Sequence, residues 1–147
     1  MKVNVRRATS SDAAALADLV TQLGYPSRPE EVIARLATLE SAEQGLFVAE
    51  VDKRVVGLAH VNCRSTLLAD GMAEVMALVV DDKWRGQGIG RALLQVTEEW
   101  AGQRGYGTLL VRTNVVRQRA HEFYYRNGFR HVKTSLTLVK ELPPKTQ

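Results

Sequence analysis

The stretch from residue 75 to residue 94 constrains the fold more than any other part of this 147-residue chain. An apolar run leads into a short charged turn, a glycine-rich loop and then an amphipathic helical pattern. The loop carries glycine at alternate positions, namely Gly86, Gly88 and Gly90. Glycine lets a backbone approach a ligand closely, and the helix start adds unpaired N–H groups and a positive dipole end. Arg85 and Arg91 add positive charge, so the sequence predicts a phosphate-containing ligand at this loop.

The residues present disfavour two common phosphate-binding loops. The stretch lacks the Gly-Lys-Ser/Thr ending of a P-loop, which argues against a nucleotide triphosphatase. It carries Arg91 where a dinucleotide fingerprint needs its third glycine. The elements before the loop also have the pattern of consecutive antiparallel strands, whereas a Rossmann fold alternates strands and helices from its start.

The remaining hydrophobic pattern predicts a mixed, mostly antiparallel α/β fold. Alternating apolar residues indicate strands, and apolar residues three and four apart indicate helices. The predicted strands are 3–7, 45–51, 55–65, 72–80, 108–113, 129–132 and 136–140, and the predicted helices are 11–23, 29–40, 88–104 and 119–127. A helix between strands 72–80 and 108–113 makes a crossover, so those two strands should be parallel. Gly128 should end the last helix, and the last two strands should form a closing hairpin.

Length and composition predict one globular domain over residues 1–142, with a flexible tail over residues 143–147. Apolar residues make up 45% of the chain and charged residues 24%, as in ordinary soluble proteins. No apolar run is long enough to span a membrane, and no secretory signal is visible. The lone Cys63 fits a reducing compartment. We therefore expect a cytoplasmic protein with no membrane partner.

Charge and ligand-type residues argue against two further classes. The net charge of +4 and the pI of about 9.5 raise the question of nucleic-acid binding. The basic residues are scattered among acidic ones, so we expect a solvated surface and no nucleic-acid partner. The histidines and the single cysteine lack zinc-site spacing, so we expect no metal.

Three motifs resemble those of the Gcn5-related N-acetyltransferase (GNAT) family. The pattern Arg85-x-x-Gly88-x-Gly90 resembles the loop with which that family holds the pyrophosphate of acyl-CoA. Residues 6–12 resemble its first strand and helix start, and residues 120–129 are similar to its A-x-x-(L/F)-Y-x-x-x-G-F signature. The resemblance covers nearly the whole chain. It implies six to seven strands flanked by about four helices, with a splayed parallel pair formed by the fourth and fifth strands.

The resemblance also implies the reaction, which is transfer of an acetyl group from acetyl-CoA directly to a primary amine. Tyr124 matches the acid that protonates the departing thiolate, and Glu74 matches a glutamate base that acts through water. By strand alternation, Glu74 should share a face with Met76, Leu78 and Val80. The other interpretation of Glu74 is an exposed acid at the start of its strand.

Other residues compete for these two roles. Tyr125 is adjacent to Tyr124, but it points about 100° around the helix and does not match the motif. Arg112 stands where other members carry a glutamate base on the fifth strand, so that base is missing here. His60 and His121 remain possible bases by residue type alone.

The resemblance assigns the cofactor contacts to the fourth strand, the glycine-rich loop and the segment after the fifth strand. These residues are Leu78, Val79, Val80, Arg85, Gly86, Gln87, Gly88, Ile89, Gly90, Arg91, Asn114 and Arg117. Main-chain groups of the strand would pair with the pantetheine arm, and loop amides would take the pyrophosphate. Arg117 departs from the family pattern, because many members carry an asparagine at that position.

The acceptor is less constrained than the donor. The segment from residue 114 to residue 126 resembles members that act on small amines, such as aminoalkylphosphonate and aminoglycoside acetyltransferases. A protein N-terminus or lysine is the second interpretation, and a non-catalytic acyl-CoA sensor is the third. An acidic mouth at Asp70 and Glu74 would favour a cationic amine, and a basic mouth at Arg28 and Arg64 an anionic one. The apolar strand 136–139 could pair with another subunit and form a homodimer.

Overall fold

A central sheet of five strands organises the computed structural model, which describes residues 1–145. The strands lie side by side in chain order: β1 (Asn4–Arg7), β2 (Gln44–Val51), β3 (Arg54–Arg64), β4 (Met72–Val80) and β5 (Leu109–Val111). Strands β1 to β4 pair with one another in antiparallel fashion, and β5 pairs in parallel with β4. The predicted mixed, mostly antiparallel α/β class and the parallel β4/β5 pair are therefore confirmed.

All four predicted helices are present. They are α1 (Ala13–Leu23), α2 (Pro29–Thr38), α3 (Ile89–Gln103) and α4 (Gln118–Arg126), with short 3-10 turns at Ser10–Asp12 and Asp82–Trp84. Within the part of the chain that the structure describes, no helix combines the length and apolarity that a membrane span requires. Contacts divide the chain into two units, Met1–Asn114 and Val115–Gln147. The expectation of one domain over residues 1–142 stays a prediction.

The sheet of the first unit carries an apolar cluster on each face. On one face α3 packs closely on β3, because a Cβ at Gly57 would lie 2.9 Å from Leu93 Cδ1. On the other face, α1 and α2 pack through side chains such as Leu19 and Val32 against Val48 of β2. Strand β4 contributes to both clusters and is therefore held from both sides.

In the second unit, α4 ends as predicted. Gly128 has φ of +92°, the left-handed conformation in which glycine commonly follows a helix end. Residues 129–145 contain no strand, so the predicted hairpin of 129–132 and 136–140 is wrong, and the sheet has five strands rather than six or seven. The connector Lys133–Ser135 lacks the glycine or Asn-Gly pair that a tight hairpin turn favours.

The C-terminal segment of the described chain exposes its apolar side chains. The exposed fractions of Val132, Leu136, Leu138, Val139 and Leu142 lie between 73% and 88%. Residues 143–145 carry no helix or strand, and the last two residues of the predicted tail, Thr146 and Gln147, lie outside the described residues. An alternating apolar pattern predicts a strand only where a partner strand is available to cover it.

Candidate active site

The loop between β4 and α3 contains two glycines in a conformation that favours glycine. Gly86 and Gly88 have φ values of +76° and +83°, in the left-handed region that favours glycine. Apart from the adjacent residues, no described atom lies within 4 Å of a Cβ built at either position, so these two residues present bare backbone to open space. Gly88 is the N-cap of α3, and no acidic residue occupies the first turn of that helix. The uncompensated positive end of α3 therefore favours an anion here.

A glutamine from α1 fixes the start of this loop. Gln22 Nε2 donates to the Asp81 carboxylate at 3.1 Å, and the backbone N–H of Asp82 donates to Gln22 Oε1 at 3.0 Å. Asp81 also accepts from the backbone N–H of Lys83 at 2.9 Å, and this bond is the main cause of its lowered pKa. No sequence signal pointed to Gln22, because its partners lie about sixty residues away.

The charged and polar residues of the loop differ in how free they are. Arg85 pairs with Asp82 at 2.7 Å, and its Nε donates to the Val80 carbonyl at 3.4 Å. Gln87 and Arg91 are exposed, so their side chains are open to a ligand. Ile89 is 1% exposed, so its side chain belongs to the core and only its backbone is available.

Strands β4 and β5 part soon after they meet. Their pairing covers only Ala73–Val75 with Leu109–Val111, whereas β4 continues to Val80. The β5-facing backbone groups of residues 76–80 therefore lie outside this ladder, which is where the resemblance places the pantetheine contacts of Leu78, Val79 and Val80. Asn114 lies three residues beyond the end of β5.

Glu74 is buried, at 3% exposure, so the interpretation of this residue as an exposed acid is wrong. Its Oε1 lies 2.6 Å from an Arg64 nitrogen and its Oε2 lies 3.4 Å from an Arg112 nitrogen. Oε1 has no hydrogen bond of good geometry despite the short distance, so the Arg64 contact is an ion pair with poor alignment. The sequence did not indicate that these arginines contact Glu74, because the contacts depend on the register of three strands.

A β-bulge changes which residues share the face of Glu74. The pairing of β3 with β4 shifts between His60 and Val61. His60 pairs with Ala77 and Val61 pairs with Val75, so Met76 is the extra residue of the bulge. Past the bulge, Val79 joins the cluster under α1 and α2, while Leu78 and Val80 pack in the cluster under α3 with Ala73. Glu74, which alternates with Ala73, therefore shares its face with Val79. The expectation that it shares a face with Leu78 and Val80 is wrong, because alternation holds only without a bulge.

His60 lies on β3 and is partly buried. Its Nε2 is 2.7 Å from Oε1 of Gln44 on β2, which makes Nε2 the donor and leaves Nδ1 without the proton in the neutral ring. Burial lowers the pKa of His60, so the ring is neutral at pH 7. His60 therefore meets the chemical requirement of a base, although its contact with Gln44 also accounts for its position.

In the second unit, Tyr124 is a half-buried residue of α4. Its ring makes edge-to-face contacts with Phe123 and Phe129, each at a centroid distance of 5.3 Å. Burial raises the pKa of Tyr124, and the positive charge of Arg117 acts in the opposite direction. The phenol therefore keeps its proton at neutral pH. Tyr125 is 55% exposed, so the two adjacent tyrosines occupy different surroundings.

Comparison with known proteins agrees with this geometry. Residues 42–131, more than half of the chain, match the acetyltransferase (GNAT) domain family. The chain is 36% identical over 105 residues to an uncharacterized N-acetyltransferase of Methanocaldococcus jannaschii; the match covers 68% of this chain but only 46% of that relative, so this chain spans less than half of its length.

Two further comparisons cover nearly the whole chain. It is 28% identical over 145 residues to an aminoglycoside N(6')-acetyltransferase of Stenotrophomonas maltophilia, covering 95% of this chain and 94% of the relative. Its fold matches the crystal structure of an aminoglycoside 6'-N-acetyltransferase of Acinetobacter baumannii with a TM-score of 0.84, at 18% identity and over 97% of this chain and 100% of that one. The chain belongs to the GNAT family of acetyltransferases.

Proposed function

We propose that this protein transfers an acetyl group from acetyl-CoA directly to the primary amine of a small molecule. The observation that carries the proposal is the loop at the start of α3, where two left-handed glycines present bare backbone beside an uncompensated helix N-terminus. A pyrophosphate fits this combination of close approach and positive potential. The edge of β4 that continues beyond its ladder with β5 lies next to the loop and fits the amide groups of a pantetheine arm.

The donor supplies the activated acyl group, and the chain supplies binding, orientation and proton handling. The amides of residues 86–91 and the exposed Arg91 would hold the pyrophosphate, together with Arg85 if it exchanges Asp82 for the ligand. The backbone of residues 78–80 would hold the pantetheine arm. Asn114 and Arg117 are proposed as further contacts. No residue in this set requires a metal ion.

We assign Glu74 the role of base, acting through a water molecule. It accepts the proton that the amine loses as the amine nitrogen bonds to the acyl carbon. The guanidinium groups of Arg64 and Arg112 contact its two carboxylate oxygens and hold the side chain in position. Tyr124 donates its phenolic proton to the sulfur as the carbon–sulfur bond breaks.

The Glu74→Gln variant tests the first of these roles. We expect kcat at neutral pH to fall about 100-fold, with partial recovery at high pH, where more of the amine is already neutral. Steady-state kinetics between pH 6 and pH 10 measure this. Glu99→Gln on the exposed side of α3 is the matched control. A folded Glu74→Gln enzyme with unchanged kcat would transfer the role of base to His60 or to water.

A small amine is the favoured acceptor because the relative that matches nearly the full chain acts on aminoglycosides. A protein N-terminus or lysine is the second candidate, and a non-catalytic acyl-CoA sensor is the third. Release of free CoA in the presence of amines, amino acids and peptides separates the three. Turnover with small amines supports the proposal, turnover with peptides alone supports the second candidate, and CoA binding without any turnover supports the sensor.

We also propose a cytoplasmic location, which suits the single buried Cys63.

We propose further that the protein is a homodimer whose interface covers the exposed apolar residues of the C-terminal segment. Replacing Leu136 and Leu138 with Asp should then shift the molar mass measured by light scattering from dimer to monomer. Leu67 and Leu68 are also fully exposed and make a matched control pair. A monomeric wild-type protein at all concentrations would contradict the dimer.

A further inference from the structure

Arg64, Glu74 and Arg112 form an arginine–carboxylate cluster where β4 and β5 part. Glu74 lies on β4 between two pairing partners, Asn62 of β3 and Leu110 of β5. Arg64 lies two residues further along β3, and Arg112 directly follows the end of β5 at Val111, and both guanidinium groups reach the Glu74 carboxylate. All three residues belong to the first unit.

The cluster has an excess of positive charge. Two guanidinium groups surround one carboxylate, whose side chain is only 4% exposed. Arg64 lies close to it at 2.6 Å, while the contact of Arg112 at 3.4 Å is longer than a charged hydrogen bond, which typically measures about 2.7–2.9 Å. The Arg112 side chain is 68% exposed. Arg64 is therefore the nearer of the two cations to the carboxylate, and Arg112 keeps its planar set of donors open to solvent.

The structure changes both charge patterns that the sequence suggested for the acceptor site, the acidic pair and the basic pair. Asp70 is exposed, but Glu74 is buried beside two arginines, so Glu74 adds no open negative charge that would attract a cationic amine. Arg28 pairs with Glu30 and Glu31 at the start of α2, so it does not join Arg64 in a basic patch. The second arginine near Glu74 is instead Arg112, which stands where other members of the family carry a glutamate base.

We propose that the acceptor is a small primary amine that carries an anionic group, a carboxylate or a phosphonate, held by Arg112 and Arg64. This inference rests on the proposed acetyl transfer. Leu78, where the stretch of β4 assigned to the donor begins, lies four residues beyond Glu74, and four residues of extended chain span about 13 Å. A small molecule with an amine at one end and an acid at the other would bridge the part of this distance that the long arginine side chains leave open. The amine would then lie towards the donor and the acid on the arginines.

Matched acceptors test the proposal. β-Alanine and 2-aminoethylphosphonate carry the two anionic groups, β-alaninamide is the neutral counterpart, and 1,3-diaminopropane is the cationic one. We expect kcat/KM for the anionic pair to exceed that for the amide by about tenfold or more, which is what a charge-assisted hydrogen bond can supply. A preference for β-alanine over the phosphonate, or the reverse, identifies which acid the site accepts better.

Variants then locate the preference. Arg112→Gln should reduce the anionic-to-neutral ratio of kcat/KM about tenfold, and Arg112→Lys should restore part of it. The ratio within each variant cancels any effect on the proton acceptor Glu74. Arg35→Gln removes an exposed arginine that pairs with Glu31 on α2 and should leave the ratio unchanged. Arg64→Lys tests the second arginine while keeping a charge beside the buried carboxylate.

The possible failures are distinguishable. Equal or better turnover of the amide or the diamine would overturn the anionic acceptor while leaving acetyl transfer intact. An anionic preference that persists in Arg112→Gln and Arg64→Lys would overturn the assignment to this cluster. If no amine is acetylated, the proposed function fails, and calorimetric titration of β-alanine and its amide into the CoA-bound protein still tests the anion site. Equal binding of the two ligands there would overturn it.

Discussion

Replacing Gly88 with Asp is expected to lower the affinity for CoA about 100-fold or more. A non-glycine residue at φ of +83° is strained, and a carboxylate at the N-cap of α3 would stand against the proposed pyrophosphate. Both effects act at the position where bare backbone is needed. Isothermal titration of CoA into the purified variant measures the loss.

Two variants separate the causes of that loss. Gly88→Ala introduces the strain without the charge and should produce a smaller decrease. Gly105→Asp is the matched control, because Gly105 also has a positive φ, +85°, and open space around its Cβ, but follows the other end of α3. Its CoA affinity should stay near the wild-type value. Unchanged CoA affinity in Gly88→Asp would mean that the loop is not part of the donor site.

Replacing Tyr124 with Phe is expected to lower kcat about 100-fold and to leave KM for acetyl-CoA nearly unchanged. The change removes one hydroxyl and retains the ring that contacts Phe123 and Phe129, so α4 should stay folded. Because burial raises the pKa of Tyr124, the wild-type enzyme should keep its proton donor at pH values where an ordinary tyrosine begins to ionise. Stopped-flow or steady-state measurement of CoA release quantifies the effect.

Tyr125→Phe provides the control for this experiment. It removes the same hydroxyl from the neighbouring residue, which is 55% exposed and does not match the family signature. Wild-type kcat is expected in this variant. If Tyr124→Phe and Tyr125→Phe behave alike, Tyr124 contributes packing to its helix and another group protonates the thiolate.

Local patterns were sufficient to predict much of this fold. Apolar spacing identified α1 to α4, and Gly128 marked the end of α4, because helix periodicity and a glycine C-terminus both depend on nearby residues. The alternate glycines likewise indicated a loop between a strand and a helix whose backbone a ligand can approach closely. These features need no knowledge of which strands meet.

Features that depend on strand register could not be predicted in this way. The bulge at Met76 reverses the facing of the residues after it, and nothing in the apolar run 75–80 marks the extra residue. The contacts of Glu74 with Arg64 and Arg112 join three strands, and Gln22 reaches the loop from a distant helix. The prediction of the closing hairpin was wrong for a different reason. Its apolar pattern is present in the sequence, but residues 129–145 form no strand that could pair with another.

The bulge at Met76 also separates two tasks along one strand. Before it, β4 turns Glu74 towards the face that carries α1 and α2; after it, Leu78 and Val80 are anchored beneath α3, whose N-terminus forms the glycine loop. Exchanges among polar residues on the first half therefore need not disturb the packing that supports the second half. Substitutions at residues such as Arg64 and Arg112 should therefore change the proposed acceptor site while the proposed donor site keeps its supporting packing.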